Sequence, residues 1–462
     1  DVERSRGLGD VYKRQGGINP LVYNLTNNWR STVFSVAFTQ VMPAWLQLKA
    51  AYDQGLVAGE VMAVGDILKV VTLHRASDMY GPLPVLHFGE ARSPYDAQDV
   101  LYDHFFQTLN NSISVLEDFL ATTPDSKALV KVDAVYGGDF AKWLKFARSL
   151  KLRLAMRIRY VEPDLALQYA QEAIEGGVIT STDENALLQT YRQITVTNPL
   201  EMIWNSYNDA RMGASMDSYL NGYEDPRREK MFTTVTLVEN GQEIQGYAGI
   251  RIGINVTSKA QAVSSYSNMR VTGTDPYLWM NAAEATFLRA EYELRWGSAE
   301  TAGTLYEQAV TLSFEERGAD NVKGYLSDAT STPAAYKDPL NKHSMASPQS
   351  TITVAWNAAA DFETNLEQII TQKYLAMFPE GQEAWSEFRR TGYPRILPVL
   401  VNNSGGKIST TRQIRRLNYP STEYSTNAEA VATATHTLNS ESSNPTGDNG
   451  GTSVWWDKNP RL

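Results

Sequence analysis

Length, composition and charge limit the class of this protein. Its 462 residues could form roughly one to three domains, and 42% hydrophobic with 20% charged residues is ordinary for a globular protein. A formal net charge of −10 argues against a general nucleic-acid binder, and the absence of cysteine excludes disulfides and thiolate sites. No apolar run approaches the roughly 18 residues that a membrane span requires.

The first residues, Asp1–Gln15, have no sustained apolar period and join poorly to the residues after them. They resemble translated adapter sequence, so we expect a non-native leader that takes no part in the fold. On this expectation the native N-terminus, with any export signal, is missing. We predict that residues 16–462 form one domain.

Helical periodicity governs the chain from Asn27 to about residue 175. Asp139 is a plausible N-cap of a long helix that passes through Trp143 and Leu150. Pro163 opens the next helix at a position where proline is tolerated. The helical scaffold is predicted over about residues 27–175, 277–314 and 360–390.

The segment of about residues 180–276 has a different character, because Gly, Asn, Ser, Thr and Tyr dominate and helical periodicity fades. Short strands are predicted around Met231–Val238 and Ile250–Val256. A segment this long without strong helices is typical of a functional excursion from a helical fold. The tail from Thr391 onward is predicted to be loop, with Trp455–Trp456 packed on the body.

The segment Tyr277–Phe314 is the clearest piece of architecture. Apolar residues recur three and four apart from Met280 to Leu294, and the same spacing resumes after a break at Gly297. Ser298 can cap the second helix, so two antiparallel helices are predicted. One pair cannot bury its own apolar face. We therefore predict a mainly α fold of stacked tetratricopeptide-like helix pairs, at least three in number, with a large loop-rich irregular face and minor β structure.

The search for catalytic and metal motifs is mostly negative. The sequence has no phosphate-binding glycine loop, nucleophile elbow or zinc-binding His-Glu-x-x-His motif, and its five histidines lack ligand spacing. Acid pairs such as Glu291/Glu293 and Glu380/Glu383 are common on helix surfaces. The loop Gly447–Gly451 could offer oxygens to calcium, although a plain turn is favoured. We expect no catalytic residue, no metal and no cofactor.

The helix Lys142–Arg159 is strongly basic. It could bind an anionic partner, or its basic side chains could neutralise acidic neighbours within an acidic protein. We favour the second interpretation and expect no nucleic-acid partner.

Several segments, taken together and in this order, resemble the SusD/RagB family of nutrient-binding outer-membrane lipoproteins. They are Ser77–Pro84, Tyr136–Asp139 with Lys142–Trp143, Ser149–Arg157, Asp225–Arg227, Glu284 with Ala290–Glu291, Gln372–Lys373, Trp385, Arg389–Pro394, Arg416 with Tyr419–Pro420, and Trp455–Asp457. The resemblance covers nearly everything from about Asn19.

This resemblance implies a tetratricopeptide-like scaffold and an N-terminal lipidated cysteine that anchors the protein to the outer membrane at the cell surface of a Bacteroidetes-type bacterium. It also implies non-catalytic capture of glycans or other nutrients for a TonB-dependent transporter of the SusC type. Arg148 stands where the family pattern leads us to expect Asn. A helical-repeat scaffold for another protein and, less favoured, a glycoside hydrolase remain as alternatives.

The quoted motifs are mostly structural in that family, so the ligand residues have to be sought elsewhere. Saccharides are bound by aromatic rings against sugar C–H faces and by short polar side chains that orient hydroxyl groups. Trp204, Tyr207 and Asn208 supply both within the irregular segment, and Tyr266 marks a second such patch. We predict that these residues form a shallow aromatic platform for an oligosaccharide, although such aromatics can also pin loops to a scaffold.

Overall fold

The computed structural model describes residues 22–23, 27–90, 93–190, 196–254 and 259–462. The expected leader, Asp1–Gln15, lies outside these residues. The chain divides into two compact units, the first containing the helices up to Ile179 and the segment Lys407–Leu462, the second built on Thr180–Gly406. Compactness alone does not decide whether the units fold independently. The single domain over residues 16–462 therefore stays a prediction.

The first unit begins with helices that pack on one another. The helices Gly59–Tyr80 and Gln98–Thr122 pack on each other, as do Phe140–Arg157 and Pro163–Gly176. Gln98–Thr122 also packs on Phe140–Arg157. The predicted cap is confirmed, because the Asp139 carboxylate accepts a hydrogen bond from the Lys142 amide at 3.0 Å, and Pro163 is the first residue of its helix. The elements are α1 (Asn27–Val36), a π-helical turn (Ala37–Val41), α2 (Met42–Asp53), α3 (Gly59–Tyr80), α4 (Gln98–Thr122), α5 (Phe140–Arg157) and α6 (Pro163–Gly176).

The second unit combines short irregular elements with longer helices. In chain order they are a 3-10 turn (Thr182–Glu184), β1 (Ala186–Leu188), α7 (Pro199–Glu201), a π-helical turn (Met202–Ser206), α8 (Ala214–Gly222), α9 (Arg228–Met231), β2 (Val235–Glu239), β3 (Gln242–Gly246), α10 (Lys259–Ser265), β4 (Tyr277–Met280), α11 (Ala282–Trp296), α12 (Ala299–Arg317), α13 (Val322–Leu326), α14 (Phe362–Ala376) and α15 (Gly381–Thr391). Antiparallel pairing joins β1 to β4 and β2 to β3.

The predicted helix pair is present as α11 and α12, which pack closely on each other. Ser298 caps α12 by accepting a hydrogen bond from the Thr301 amide at 3.1 Å, as predicted. The expected start of the first helix was wrong. Asn281 caps α11 through the Glu284 amide, and Met280 belongs to the strand that pairs with β1. A cap residue in extended conformation ends the strand and starts the helix at this point.

The core of this pair is dense and apolar. Phe287 is 0% exposed, and its ring lies edge-on to that of Tyr306 at 6.1 Å between centroids. Ala290, Ala302 and Ala309 are fully buried, which allows the two helices to approach closely. Together with the pairs α3/α4 and α5/α6, this confirms the mainly α fold of tetratricopeptide-like helix pairs with minor β structure.

The predicted strand around Ile250–Val256 was wrong. No strand forms in the described part of the range 250–256; Ile250 makes only an isolated bridge with Gly213. The second strand is instead β3, which follows β2 through Asn240 and Gly241, both with positive φ (53° and 79°). Two consecutive left-handed residues close a two-residue hairpin whose twist matches its strands.

The tail beyond Thr391 is not loop throughout, contrary to the prediction. It contains α16 (Ser421–Thr426) and α17 (Ala428–Glu441). Val431, Ala434 and Leu438 form the buried stripe of α17, and a stripe with so few large apolar side chains gives too weak a period to predict a helix. Trp456 is fully buried and its indole N–H donates to Asp78 Oδ1 at 2.8 Å, so the expected packing of the Trp pair is confirmed.

Candidate functional site

Several of the motif residues that carry the family resemblance are buried in the second unit and bonded to one another or to neighbouring side chains. Arg227 donates to Asp225 Oδ2 at 2.6 Å and to Gln372 Oε1 at 2.9 Å. Arg390 forms ion pairs with Glu291 at 2.5 Å and with Glu387 at 2.6 Å. These side chains satisfy each other inside the second unit, as buried charges must. They stabilise the scaffold and are not exposed to a ligand.

The same network removes Glu291 as a candidate general acid. Burial acts to raise the pKa of its carboxyl, but the Arg390 and Arg295 guanidiniums outweigh burial and hold the pKa at about 2. A carboxyl that stays ionised at neutral pH cannot protonate a leaving group. Among the described residues, no group of three His, Asp or Glu side chains has an arrangement that could hold a metal ion.

Trp204, Tyr207 and Asn208 of the predicted platform lie on one irregular turn of the second unit. Asn198 begins this turn by capping α7, accepting from the Leu200 amide at 3.1 Å, and its amide group donates to the Asp275 carbonyl at 3.2 Å. The π-helical turn Met202–Ser206 comes next and closes with the Tyr207 amide on the Met202 carbonyl at 2.9 Å. A π-helical turn of this kind often marks a functional site.

The structure brings three of the four predicted residues together on this turn. The Trp204 indole N–H donates to the Val271 carbonyl at 2.7 Å, so this half-buried ring also ties the turn to the next segment. Tyr207 is 50% exposed. Asn208 adopts a positive φ of 49°, and its side-chain oxygen accepts from Arg211 at 3.3 Å. Tyr207 therefore presents the most accessible ring of the predicted set.

Tyr266 does not belong to an exposed platform, and this part of the prediction was wrong. Its side chain is 1% exposed and packs in a core cluster with Ala248, Ile250 and Ala262. The phenol O–H donates to Asp338 Oδ1 at 2.9 Å. A ring enclosed on both faces cannot stack on a sugar. Sequence alone could not separate it from Tyr207, because both lie among short polar residues.

Two cavities in the second unit were not predicted. A cavity of about 630 Å³ lies between the β2–β3 hairpin and the segment Ala334–Pro339, with Arg228 and Tyr247 in its lining. A second cavity of about 470 Å³ is lined by the ion pair of Arg395 and Glu367, 3.1 Å apart. The sequence signal for the hairpin was Asn240-Gly241, a dipeptide typical of two-residue hairpin turns.

The basic helix α5 and the glycine-rich loop near the C-terminus both have internal partners in the first unit. Arg148 lies 2.5 Å from Glu117, and Lys151 lies 2.5 Å from Glu172. These ion pairs are what the favoured interpretation of α5 predicts. In the loop, the Asp448 carboxylate accepts from the Arg416 guanidinium and, at 3.2 Å, from the Tyr419 amide.

Comparisons with known proteins identify the family of this chain. The family described as SusD-like, SusD and RagB outer membrane lipoprotein, matches residues 8–457. The chain belongs to the SusD-like family. A comparison with curated proteins finds no match. Among the described helices, none combines the length and the apolar character needed to cross a membrane.

Solved structures of SusD homologues have the same fold. One from Bacteroides thetaiotaomicron is 40% identical, with a TM-score of 0.90, covering 98% of this chain and 92% of its own. A chitin-binding SusD homologue from Flavobacterium johnsoniae is 38% identical, with a TM-score of 0.88 and coverages of 96% and 90%. A third, from Bacteroides uniformis, is 34% identical, with a TM-score of 0.88 and coverages of 99% and 95%. The resemblance to the SusD/RagB family is thereby confirmed.

Proposed function

We propose that this SusD-like protein captures an oligosaccharide at the cell surface, without catalysis, and passes it to a TonB-dependent outer-membrane transporter of the SusC type. The family match over residues 8–457 carries the proposal. It is supported by the relative from Flavobacterium johnsoniae, which is described as chitin-binding and is 38% identical to this chain.

The turn around Trp204 is the proposed contact for the sugar. Tyr207 offers a half-exposed ring, Trp204 a half-buried one, and Asn208 an amide next to them. An aromatic ring packs against the C–H face of a pyranose, while the amide orients a hydroxyl group. An open platform contributes little per ring, so the affinity should lie between micromolar and millimolar, about −4 to −8 kcal/mol in total.

Calorimetry on single variants tests this site. A glycan array first selects the ligand, with chitotetraose included as a fixed probe. Tyr207→Ala should weaken binding of the selected glycan, because it removes an exposed ring without disturbing the core. Tyr52→Ala is the matched control, since Tyr52 is 43% exposed on α2 of the other unit.

Trp204→Ala should weaken binding as well, and circular dichroism must show that the variant still folds. Two outcomes would mean that the aromatic side chains only hold the turn in place. In the first, both variants bind the glycan with unchanged affinity. In the second, Trp204→Ala does not fold and Tyr207→Ala binds with unchanged affinity. Capture of a soluble protein together with no glycan on the array would instead favour the helical-repeat scaffold.

The absence of catalysis and of a cofactor is part of the proposal. The Arg390 and Arg295 guanidiniums around Glu291 support it, since they keep a buried carboxylate ionised. Incubated oligosaccharide should be recovered at its original length, and a chelator should leave affinity unchanged. Shortened products would favour a glycoside hydrolase.

The partner and the anchor rest on family membership. The native lipoprotein, extracted from outer membranes in mild detergent, should co-purify with a large TonB-dependent transporter. Repeated extraction that yields only the free lipoprotein would count against this partner.

A further inference from the structure

Arg227 and Arg228 are neighbours in the chain, yet their surroundings differ sharply. Arg227 is 0% exposed and pairs with Asp225 at 2.6 Å. Arg228 is half-buried and lines the cavity beneath the β2–β3 hairpin. In the part of the chain that the structure describes, no carboxylate lies within ion-pair distance of the Arg228 guanidinium. The Asp217 carboxyl interacts electrostatically with this partly desolvated cation from beyond ion-pair distance, so the charge is compensated only weakly within the protein.

The guanidinium of Arg228 is held in a fixed position. Its centre lies 4.5 Å from the centroid of the Tyr247 ring. One nitrogen, Nη1, donates to the side-chain oxygen of Asn221 at 2.6 Å. A guanidinium has five N–H donors in a rigid fork, and this is its single donation among the described residues. The remaining donors are available to oxygens that enter the cavity.

Asn221 connects this cation to Asp217 at the base of the cavity. Its amide group donates to Asp217 Oδ1, and the Gly249 amide donates to Oδ2 at 2.8 Å. Burial raises the pKa of Asp217 to about 7, so this carboxyl carries less negative charge at neutral pH than an exposed one. It therefore offsets the charge of Arg228 incompletely.

Two segments with exposed side chains form walls of the cavity. The hairpin forms one wall and exposes Val238 to 70%. The segment Ala334–Pro339 forms the other, and Lys337 lies 3.7 Å from Glu239 between exposed side chains. The volume of about 630 Å³ is that of a typical small-ligand site.

We propose that this cavity is a subsite for an acidic sugar unit, whose carboxylate is bound by Arg228 and whose ring packs against Tyr247. The inference rests on the proposed glycan capture and specifies its substrate class. A carboxylate accepts two parallel N–H bonds from a guanidinium, a fit that a lysine ammonium does not reproduce. The subsite uses no residue of the Trp204 turn.

The test compares trigalacturonate with chitotriose as acidic and neutral probes in calorimetry. Wild-type protein should bind trigalacturonate more tightly. Arg228→Gln should weaken that binding by about tenfold or more and leave chitotriose affinity unchanged. Arg228→Lys should recover only part of the loss, and Tyr247→Ala should weaken binding of both probes. Lys230→Gln is the matched control, because Lys230 is exposed, outside the cavity and paired with Glu229 at 3.2 Å.

Equal affinity of wild type and Arg228→Gln for trigalacturonate would overturn the subsite, as would a wild type that prefers chitotriose. In either case, binding of a neutral glycan would leave the proposed function standing. A wild type that binds neither probe nor any glycan on the array would overturn both.

Discussion

The pair α11/α12 and the segment Thr180–Pro276 belong to the same unit but satisfy their backbones in different ways. In the pair, hydrogen bonds run within each helix, and side chains such as Phe287 need only fill the space between them. In the irregular segment, partners far along the chain supply many of the bonds. Trp204 bonds to Val271 and Asn198 to Asp275, which lie 67 and 77 residues away.

This difference shows where binding residues can be placed. A helix that buries one face against a neighbour has few side chains free to change without loss of packing. A loop tied down at a few points keeps other side chains, such as Tyr207, accessible. Substitutions in each region can test whether stability depends on packing in the helix pair and on single polar contacts in the irregular segment.

The largest effect is expected for Phe287→Ala in the helix pair. Truncating this fully buried ring should lower the free energy of unfolding by about 3–5 kcal/mol, from lost burial and a residual cavity. Guanidinium titration measures it. Phe362→Ala is the control, because Phe362 is 37% exposed at the start of α14 and should change stability much less. A loss below about 1 kcal/mol for Phe287→Ala would contradict the core assignment.

An intermediate effect is expected from Asp217, which joins α8 to the irregular segment through the Gly249 amide. Burial raises its pKa from 3.8 to about 7, so the folded state retains a proton that the unfolded state releases. Its contribution to stability is complete below pH 3.8 and is lost as pH rises towards about 7. The slope is at most about 1.4 kcal/mol per pH unit.

Asp217→Asn should flatten this pH dependence in thermal unfolding, because the amide does not titrate. Glu243→Gln on the exposed strand β3 is the control and should leave the profile unchanged. A wild-type profile that rises between pH 4 and 7 and is unaltered in Asp217→Asn would be inconsistent with the raised pKa.

The smallest effect is expected for Tyr266→Phe. The variant loses one hydrogen bond to Asp338 and should be destabilised by about 0.5–1.5 kcal/mol. Asp338 keeps the amides of Leu340, Lys342 and His343 as donors, which limits the loss. Glycan affinity should not change, since the ring is buried. If glycan affinity fell while the free energy of unfolding stayed unchanged, Tyr266 would belong to the binding site.

Local signals in the chain were sufficient for several helix ends. The caps at Asp139 and Ser298 and the break at Gly297 appear where the pattern predicted them. The start of α11 at Ala282 was missed because the residues before it pair as a strand. The helix α17 was missed because its buried stripe consists mostly of small residues. Helix boundaries depend on partners that periodicity does not contain.

The amino-acid sequence by itself determined the helical scaffold, the family and the part of the chain in which binding residues were sought, because periodicity, caps and motif order are local properties. Only the tertiary structure decided that Tyr207 is exposed while Tyr266 is buried, and that Arg227 is paired while Arg228 faces a cavity. Each of these contrasts depends on residues far along the chain, such as Asp338 for Tyr266 and Gln372 for Arg227. Burial and charge compensation arise from such contacts, so neighbouring or similar residues can have opposite roles.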